Sequence, residues 1–510
     1  MNDGSLQEIE LRLQVAPAAL PGLRRALAAT AARHSRMRLQ AVYVDTPERA
    51  LAAAGIALRL RKEGRRWVQT IKLGPLHATA RGEHNVAVDA PPGTRPAIDP
   101  ARHAGTPMGE ALAAVLAAAQ APLVERYRTD ITRSLTRRRT RFGQVELALD
   151  VGEIVADDPA GGEPRRWPVR ELEIELLSGS PRAVFDTAQR WIDAHGLWLD
   201  SRSKAERGDR LARGELQAAA VKAGATASLP ADASPSQAWR AFVEACLAQA
   251  LPNASELAAG TGQPEHVHQL RVALRRLRSA ARLCAGWPGV PPSVGPDAAP
   301  FLAQAAELFR ALGVTRDADV MAQGWGPLVA ATLEAAGLPP LVPPPAAADE
   351  PSALLRRPEA SRLWLQLIGQ TFEAEPAGPA GATARARVAE RLDAWHRRTT
   401  RDAKRFESLD DAALHALRKR LKRLRYATEF AEPWFGSRAA RRYARSLARL
   451  QDALGAFNDH ASARALVAAL APSQPQALYA LGWLDAQRDA LHADIGRALK
   501  RWRKVQPYWR

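Results

Sequence analysis

The stretch EIELRL, Glu8 to Leu13, alternates charged and aliphatic side chains without a break. Successive side chains of a strand point to opposite faces, so Glu8, Glu10 and Arg12 share one face and Ile9, Leu11 and Leu13 the other. ELEIEL does the same with Glu171, Glu173 and Glu175. VELALD sets Glu146 and Asp150 opposite Leu147 and Leu149, and LRLR sets Arg59 beside Arg61. An ordinary antiparallel sheet with a solvated face is one home for such strands. Three features weigh against it. The charged faces hold few Ser, Thr or Gln; like charges at neighbouring same-face positions repel; and basic strands accompany the acidic ones. A barrel lined by both signs meets all three conditions if it holds a metal ion and a polyanion together. Hard divalent cations take carboxylate oxygens and Mg²⁺ bridges to phosphate. Arg and Lys hold the remaining phosphate charge.

The chain has 510 residues, too many for one core, so two to four domains are expected. Its 72 Lys and Arg exceed its 54 Asp and Glu, leaving +18. That surplus either aids solubility or points to a polyanionic partner: nucleic acid, anionic lipid or an inorganic phosphate chain. Only Cys246 and Cys284 are present, which excludes a disulfide framework and a four-thiolate zinc site. MNDGSLQEIE lacks the pattern of a secretory signal, and no apolar run is long enough to span a bilayer, so a soluble cytoplasmic protein with no membrane partner is expected. Residues 1–212 read as mixed strand and helix, 213–237 as a small polar linker, and 238–510 as helical. Pro- and Ala-rich stretches from Leu338 and Ala374 mark an insertion over about 335–383.

The helical half repeats. VHQLRVALRRLRSAAR carries an apolar stripe (Val267, Leu270, Leu274, Leu277, Ala281) and, about 100° around the helix, a second stripe of His268, Arg271, Arg275, Arg278 and Arg282. LHALRKRLKRLRYA copies it 147 residues later (415 minus 268), with Leu414, Leu417, Leu421 and Leu424 beside His415, Arg418, Lys422 and Arg425. Arg276 matches Arg423 at the same offset, and Lys419 lies within the second copy. LGVTRD from Leu312 resembles LGAFND from Leu454. Two similar helical subdomains follow. A solvated Arg face is the ordinary explanation of one such stripe. Two copies, each headed by a histidine and without acids inside the segment, favour one anion groove with two walls.

The first 210 residues resemble the CYTH domain of the triphosphate tunnel metalloenzymes. EIELRL is similar to its ExExK signature, YVDTPERAL to its YFDTP turn, and LRLRKEGRRWVQTIKLG to its LRxR…WxxTxKG segment. VELALDVGEI, ELEIELLSG and SKAERG match later segments. Residues from about 235 resemble the CHAD domain through VHQLRVALRRLR, LGVTRDADV, LHALRKRLKRLRYATE and LQDALGAFND. The resemblance implies an α+β architecture: an eight-stranded antiparallel β-tunnel followed by an all-α domain of two pseudo-symmetric helical bundles. It implies Mg²⁺- or Mn²⁺-dependent hydrolysis of inorganic triphosphate, with polyphosphate held by the helical domain, and association with polyphosphate granules. Carried over by motif, Glu8, Glu10, Glu173 and Glu175 organise the metal, and Glu8, Glu10, Arg12 and Lys72 are the catalytic set. Arg59, Arg61, Lys72, Arg81, Arg133 and Lys204 bind phosphate; Glu83 lies on the strand entered at Arg81. His268, Arg271, Arg275, Arg276, Arg278, His415, Arg418, Lys419, Lys422, Arg423 and Arg425 bind polyphosphate.

Two departures stand out. Arg12 replaces the family lysine, and Arg keeps the charge but cannot serve as a base. His84 and Asn85 stand where the family often has an aromatic and a second Glu. A degenerate, binding-only tunnel is therefore one alternative. Another keeps the tunnel for a nucleoside or thiamine triphosphate, or for adenylyl cyclase chemistry. Nucleic acid is the weaker rival for the helical half, because neither basic stripe holds an aromatic before Tyr426. The terminal RWRKVQPYWR does mix Arg and aromatic residues.

Overall fold

The structure is a computed structural model that describes residues 7–29, 34–74, 80–91, 93–288, 290, 302–313, 324–342, 349–372 and 382–510, without the side chains at 7, 8, 34, 80 and 81. The side chains of Glu8 and Arg81, and LGVTRDADV beyond Gly313, thus lie outside the described residues. Two compact units emerge: Met1–Val221 with Leu251–His266 and Ser352–Phe372, and Lys222–Ala250 with Val267–Pro351 and Glu373–Arg510.

The first unit runs β1 (Gln7–Gln14), α1 (Leu20–Ala29), β2 (His34–Asp45), α2 (Ala50–Ala53), β3 (Ile56–Glu63), β4 (Arg66–Leu73), β5 (Ala80–Val88), α3 (Pro107–Ala119), β6 (Val124–Thr140), β7 (Gly143–Ala156), β8 (Arg165–Gly179), α4 (Arg182–His195), β9 (Trp198–Leu199) and α5 (Lys204–Ala212). The order β5-β4-β3-β2-β6-β7-β8-β1 is antiparallel throughout, and a β5–β1 pairing closes it. β1 does this by changing partner: Gln7 to Ile9 lie against β5, and Glu10 to Gln14 against β8. Eight strands form the ring, and the two-residue β9 pairs with Leu13 and Gln14 of β1.

The alternation in sequence becomes an inside and an outside. Leu11, Leu13, Leu58, Ile71, Leu147, Leu149, Leu172 and Ile174 are buried on the outer face. Helices supply the cover that an apolar outer wall needs in water. Leu51, Met108 and Leu112 of α2 and α3 pack on Ile56, Leu58 and Ile71. At one end the inner face turns apolar as well: Tyr43, Tyr127, Ile154, Ala156 and Val169 pack with Leu211 and Ala212 of α5. α5 thereby stops the barrel at that end. Ser203 caps it by accepting from the Glu206 N–H at 3.1 Å. Gly208 lets it approach closely, since a Cβ there would lie 2.2 Å from the Tyr127 ring.

The remaining helices are α6 (Pro235–Ala259), α7 (Pro264–Leu283), α8 (302–313), α9 (Trp325–Ala335), α10 (Pro351–Arg356), α11 (Pro358–Thr371), α12 (Ala384–Lys404), α13 (Asp411–Phe435), α14 (Arg438–Leu470) and α15 (Ala477–Trp502). α6 changes unit at Ala250–Leu251, beside its internal Pro252, whose missing N–H interrupts the helix ladder. In the second unit the apolar stripes of α7 and α13 are buried from Val267 to Ala281 and from Leu414 to Leu424. No helix among the described residues is long and apolar enough to cross a membrane.

Candidate functional site

The tunnel cavity is lined by inward positions of the ring: Glu10 and Arg12 of β1, Tyr43 of β2, Arg59 and Arg61 of β3, Lys72 of β4, Glu83 and Asn85 of β5, Arg133 of β6, Glu146 and Asp150 of β7, Glu173 and Glu175 of β8, and Ser203 and Lys204 at the start of α5. The structure thus brings together every described side chain expected at the tunnel site. Two acidic groups within it differ sharply in their neighbours.

Beside α5, oxygens of Asp150, Glu171 and Glu173 lie within 4.8 Å of one another, a spacing suited to a metal. Cations already fill that spacing. Lys204 Nζ lies 2.7 Å from Asp150 and 2.6 Å from Glu173, and it also contacts Glu171. Arg133 forks onto Asp150 at 2.7 and 2.6 Å and reaches Glu173, while Arg207 pairs with Glu171. Burial works against the Lys204 ammonium, but Asp150, Glu171 and Glu173 outweigh it and keep it charged. Burial likewise opposes the Glu173 carboxylate, and Lys204 and Arg133 outweigh that, holding its pKa well below the ordinary range.

The second group is a row across three strands. Register sets Glu175 opposite Glu10 on one side and opposite Glu146 on the other. Compensation here is weaker: Lys72 Nζ is 4.0 Å from Glu10, Arg12 Nε is 3.9 Å from Glu10, and the exposed Arg137 reaches Glu146 at 3.0 Å. Burial, then Glu10 and Glu146, push the Glu175 carboxyl up to about 7. The row offers hard oxygen donors with an acid surplus, the charge a divalent cation offsets, although among the described residues only Asp150, Glu171 and Glu173 already stand at metal-ligand spacing. Glu146 was not among the expected metal ligands. Its alternation was visible in VELALD, but the register that brings it to Glu175 was not.

The basic side of the tunnel is open to an anion. Arg59 donates to the Tyr43 hydroxyl at 3.1 Å, Lys72 pairs with Glu83 at 2.9 Å, and Arg61 pairs with Glu63. The Nε groups of Arg12, Arg59 and Arg61 are buried without a hydrogen-bond partner. Burial, then Arg59, pull the Arg61 guanidinium below its ordinary pKa, even though Glu63 opposes the shift. Asn85, in place of a carboxylate, accepts from Thr70 at 2.6 Å and donates to Glu83 at 3.0 Å. His84 is absent from the tunnel lining and pairs with His103 at 2.9 Å.

In the second unit, His268, Arg271, Arg275, Arg278 and Arg282 of α7 and His415, Arg418, Lys419, Lys422 and Arg423 of α13 line one groove. Asn458 and Asp459 of α14, Phe309 of α8 and Tyr426 of α13 complete it. Nε of Arg275, Arg278, Arg418 and Arg423 is buried and without a partner. Burial, then Arg275 and Arg418, lower the Lys422 amine to about 7, and burial and neighbouring arginines lower Arg423 to about 10. Two expected ligands do not line the groove. Arg276 falls on the packed side of α7, bonded to Gln249 at 3.0 Å and 5.3 Å from the Phe430 ring. Arg425 turns to Glu429 at 2.9 Å and Gln451 at 3.1 Å. Phe309, which the basic stripes gave no sign of, lies 4.5 Å from the Arg271 guanidinium and 5.5 Å from that of Arg275.

Residues 6–208 match the family model of the CYTH domain, and residues 241–468 that of the CHAD domain. An inorganic triphosphatase of Haemophilus influenzae is 30% identical over 217 residues, or 41% of this chain and 56% of the relative, so the match spans about half of that protein. Among solved structures, the CHAD domain from the plant Ricinus communis is 31% identical, covering 56% of this chain and 99% of that one, with a TM-score of 0.45. The PH1819 protein of Pyrococcus horikoshii is 18% identical, covering 39% of this chain and 96% of that one, with a TM-score of 0.25.

Proposed function

We propose that this chain, which carries a CYTH domain followed by a CHAD domain, hydrolyses inorganic triphosphate in its tunnel with a divalent metal ion and binds polyphosphate in its helical groove. One observation carries the reading: buried, unpartnered guanidinium donors of Arg12, Arg59 and Arg61 share a cavity with a carboxylate row short of positive charge. Buried donors without acceptors are costly, and a phosphate chain supplies acceptors. The triphosphatase relative supports the choice of substrate.

Glu10, Glu146 and Glu175 would hold the ion, with Glu173 beside them; an all-oxygen set suits Mg²⁺ or Mn²⁺. When bound, the ion polarises the terminal phosphoryl group and offsets its charge. Arg59, Arg61, Lys72 and Arg133 grip phosphate oxygens and absorb the charge that develops on them. Arg12 grips but does not shuttle protons. Water attacks the terminal phosphorus, the bridging P–O bond breaks, and pyrophosphate leaves with its electron pair. A carboxylate of the row accepts the proton of the water. No covalent intermediate is needed.

In the groove, cations at helical spacing on two facing walls suit a regular polyanion. Phe309 is already engaged by Arg271 and Arg275, so it makes a poor platform for stacking a base. The test uses the full chain with tripolyphosphate and Mg²⁺ or Mn²⁺. Metal-dependent phosphate release, lost in Glu10→Ala, is expected. A folded chain that releases none would overturn the hydrolase reading and leave a binding-only tunnel.

A further inference from the structure

The segment that carries Lys204 into the tunnel is tied to a carboxylate outside the strand ring. Arg202 and Arg210 flank it on the α5 segment and are 5% and 3% exposed. Both guanidinium groups meet one carboxylate, Glu256 of α6. Arg202 donates to its Oε1 at 3.4 Å, and Arg210 donates to both oxygens, to Oε2 at 3.3 Å. Thr261 Oγ1 donates to Oε2 at 2.7 Å, and one residue earlier Ser255 Oγ accepts from the Ser201 N–H at 2.9 Å. Glu256 is itself 2% exposed. It lies beyond the residues that match the CYTH domain and within those that match the CHAD domain, yet Leu251–His266 belongs to the same compact unit as the tunnel.

We propose that Glu256 is a positioning residue of the tunnel, clamping Arg202 and Arg210 so that Lys204 stands against Asp150, Glu171 and Glu173. The proposal deepens the triphosphatase reading and rests on it for its kinetic consequence. With Lys204 seated, the acid surplus is confined to the row Glu10–Glu175–Glu146. If α5 withdraws, Asp150, Glu171 and Glu173 lose a cation, and Asp150 and Glu173 add to the uncompensated acids lining the same cavity. Removing the Glu256 charge also leaves the buried Arg210 guanidinium short of its counter-ion, while Arg202 keeps Asp200 at 2.8 Å, and this drives the α5 segment toward water.

The test compares full-length Glu256→Gln, Glu256→Asp and Thr261→Val with the parent chain. It reads amide hydrogen exchange along α5, β7 and β8, and kcat and KM for tripolyphosphate with Mg²⁺. Glu256→Gln is expected to speed α5 exchange about tenfold while β7 and β8 keep their protection. KM should rise about tenfold with a smaller change in kcat. Glu256→Asp should restore part of both, and Thr261→Val, which removes one bond to Glu256, should act in the same direction more weakly. Unchanged α5 exchange in Glu256→Gln overturns the proposal. So does loss of protection spread equally over β7 and β8 in the milder Thr261→Val, which would mark a merely structural residue. A parent chain that releases no phosphate overturns the triphosphatase reading instead, while the exchange pattern still decides the placement of α5.

Discussion

At the residue scale, the most informative side chains are those whose charge is poorly compensated. Glu146 stands opposite Glu175 in a row of three carboxylates. Glu146→Gln should cut metal-dependent phosphate release at least about tenfold and raise the Mg²⁺ concentration needed for half activation. The metal-free chain should lose no thermal stability, because one of three mutually repelling charges has gone. A clear fall in the metal-free Tm would count against the row as a charge-strained site. Lys422 is the matching case in the groove. It faces Arg271 and Arg275 on α7, Arg418 on α13 and Asp459 on α14, and its amine is lowered to about 7 by burial first and the arginines next. Its folded pKa lies below its unfolded value, so the folded chain binds fewer protons between the two, and stability rises with pH across that window. The penalty is fully present below about 7. A polyanion reverses the shift, so polyphosphate binding at pH 8 should take up a proton. Calorimetry in buffers of different ionisation enthalpy measures that uptake, and Lys422→Met should abolish it.

At the element scale, α5 and α13 make different demands on the sequence. α13 was legible in it: the spacing of Leu414, Leu417, Leu421 and Leu424 specifies a buried face, and the cations lie beside that face. Leu421 is fully buried, so Leu421→Ala should cost about 2–5 kcal/mol in denaturant unfolding. The strands were legible for the same reason, since a two-residue period fixes which side chains share a face. Periodicity does not say which strands become neighbours. The meeting of Glu146 with Glu175, and the switch of β1 between β5 and β8, are decided by long-range pairing. The misplacement of Arg276 has a related cause. It lies one residue, about 100°, beyond Arg275, and only the packing of α6 and Phe430 determines that this angle is inside. SKAERG was legible as a CYTH-like segment bearing Lys204, but the helix α5 and its role as a stopper were not. Gly208→Ala tests that role. The added Cβ would strike Tyr127, whose ring is stacked on Tyr43 at 4.6 Å and has little room to retreat. A loss of about 1–3 kcal/mol is expected, read as a lower Tm of the first unit.

At the scale of the whole molecule, the formal charge of +18 has to be assigned to a task. Within the tunnel, cations and carboxylates largely offset each other. In the groove, among the described residues, ten His, Lys and Arg side chains of α7 and α13 face Asp459 alone among the acidic lining residues. Long polyanions should therefore engage the groove, while short ones are processed in the tunnel, and the two activities should separate by substitution. In Arg275→Gln/Arg418→Gln, polyphosphate affinity should fall at least about tenfold, and the slope of log affinity against log salt should become shallower by about 2, one for each cation removed. Release of phosphate from tripolyphosphate should stay within about twofold of the parent, because neither residue lines the tunnel. Polyphosphate should displace single-stranded RNA from the parent chain far more readily than RNA displaces polyphosphate. RNA binding of equal strength would assign the charge to nucleic acid instead. A parallel loss of triphosphatase activity in the groove variant would mean that the two units work as one site.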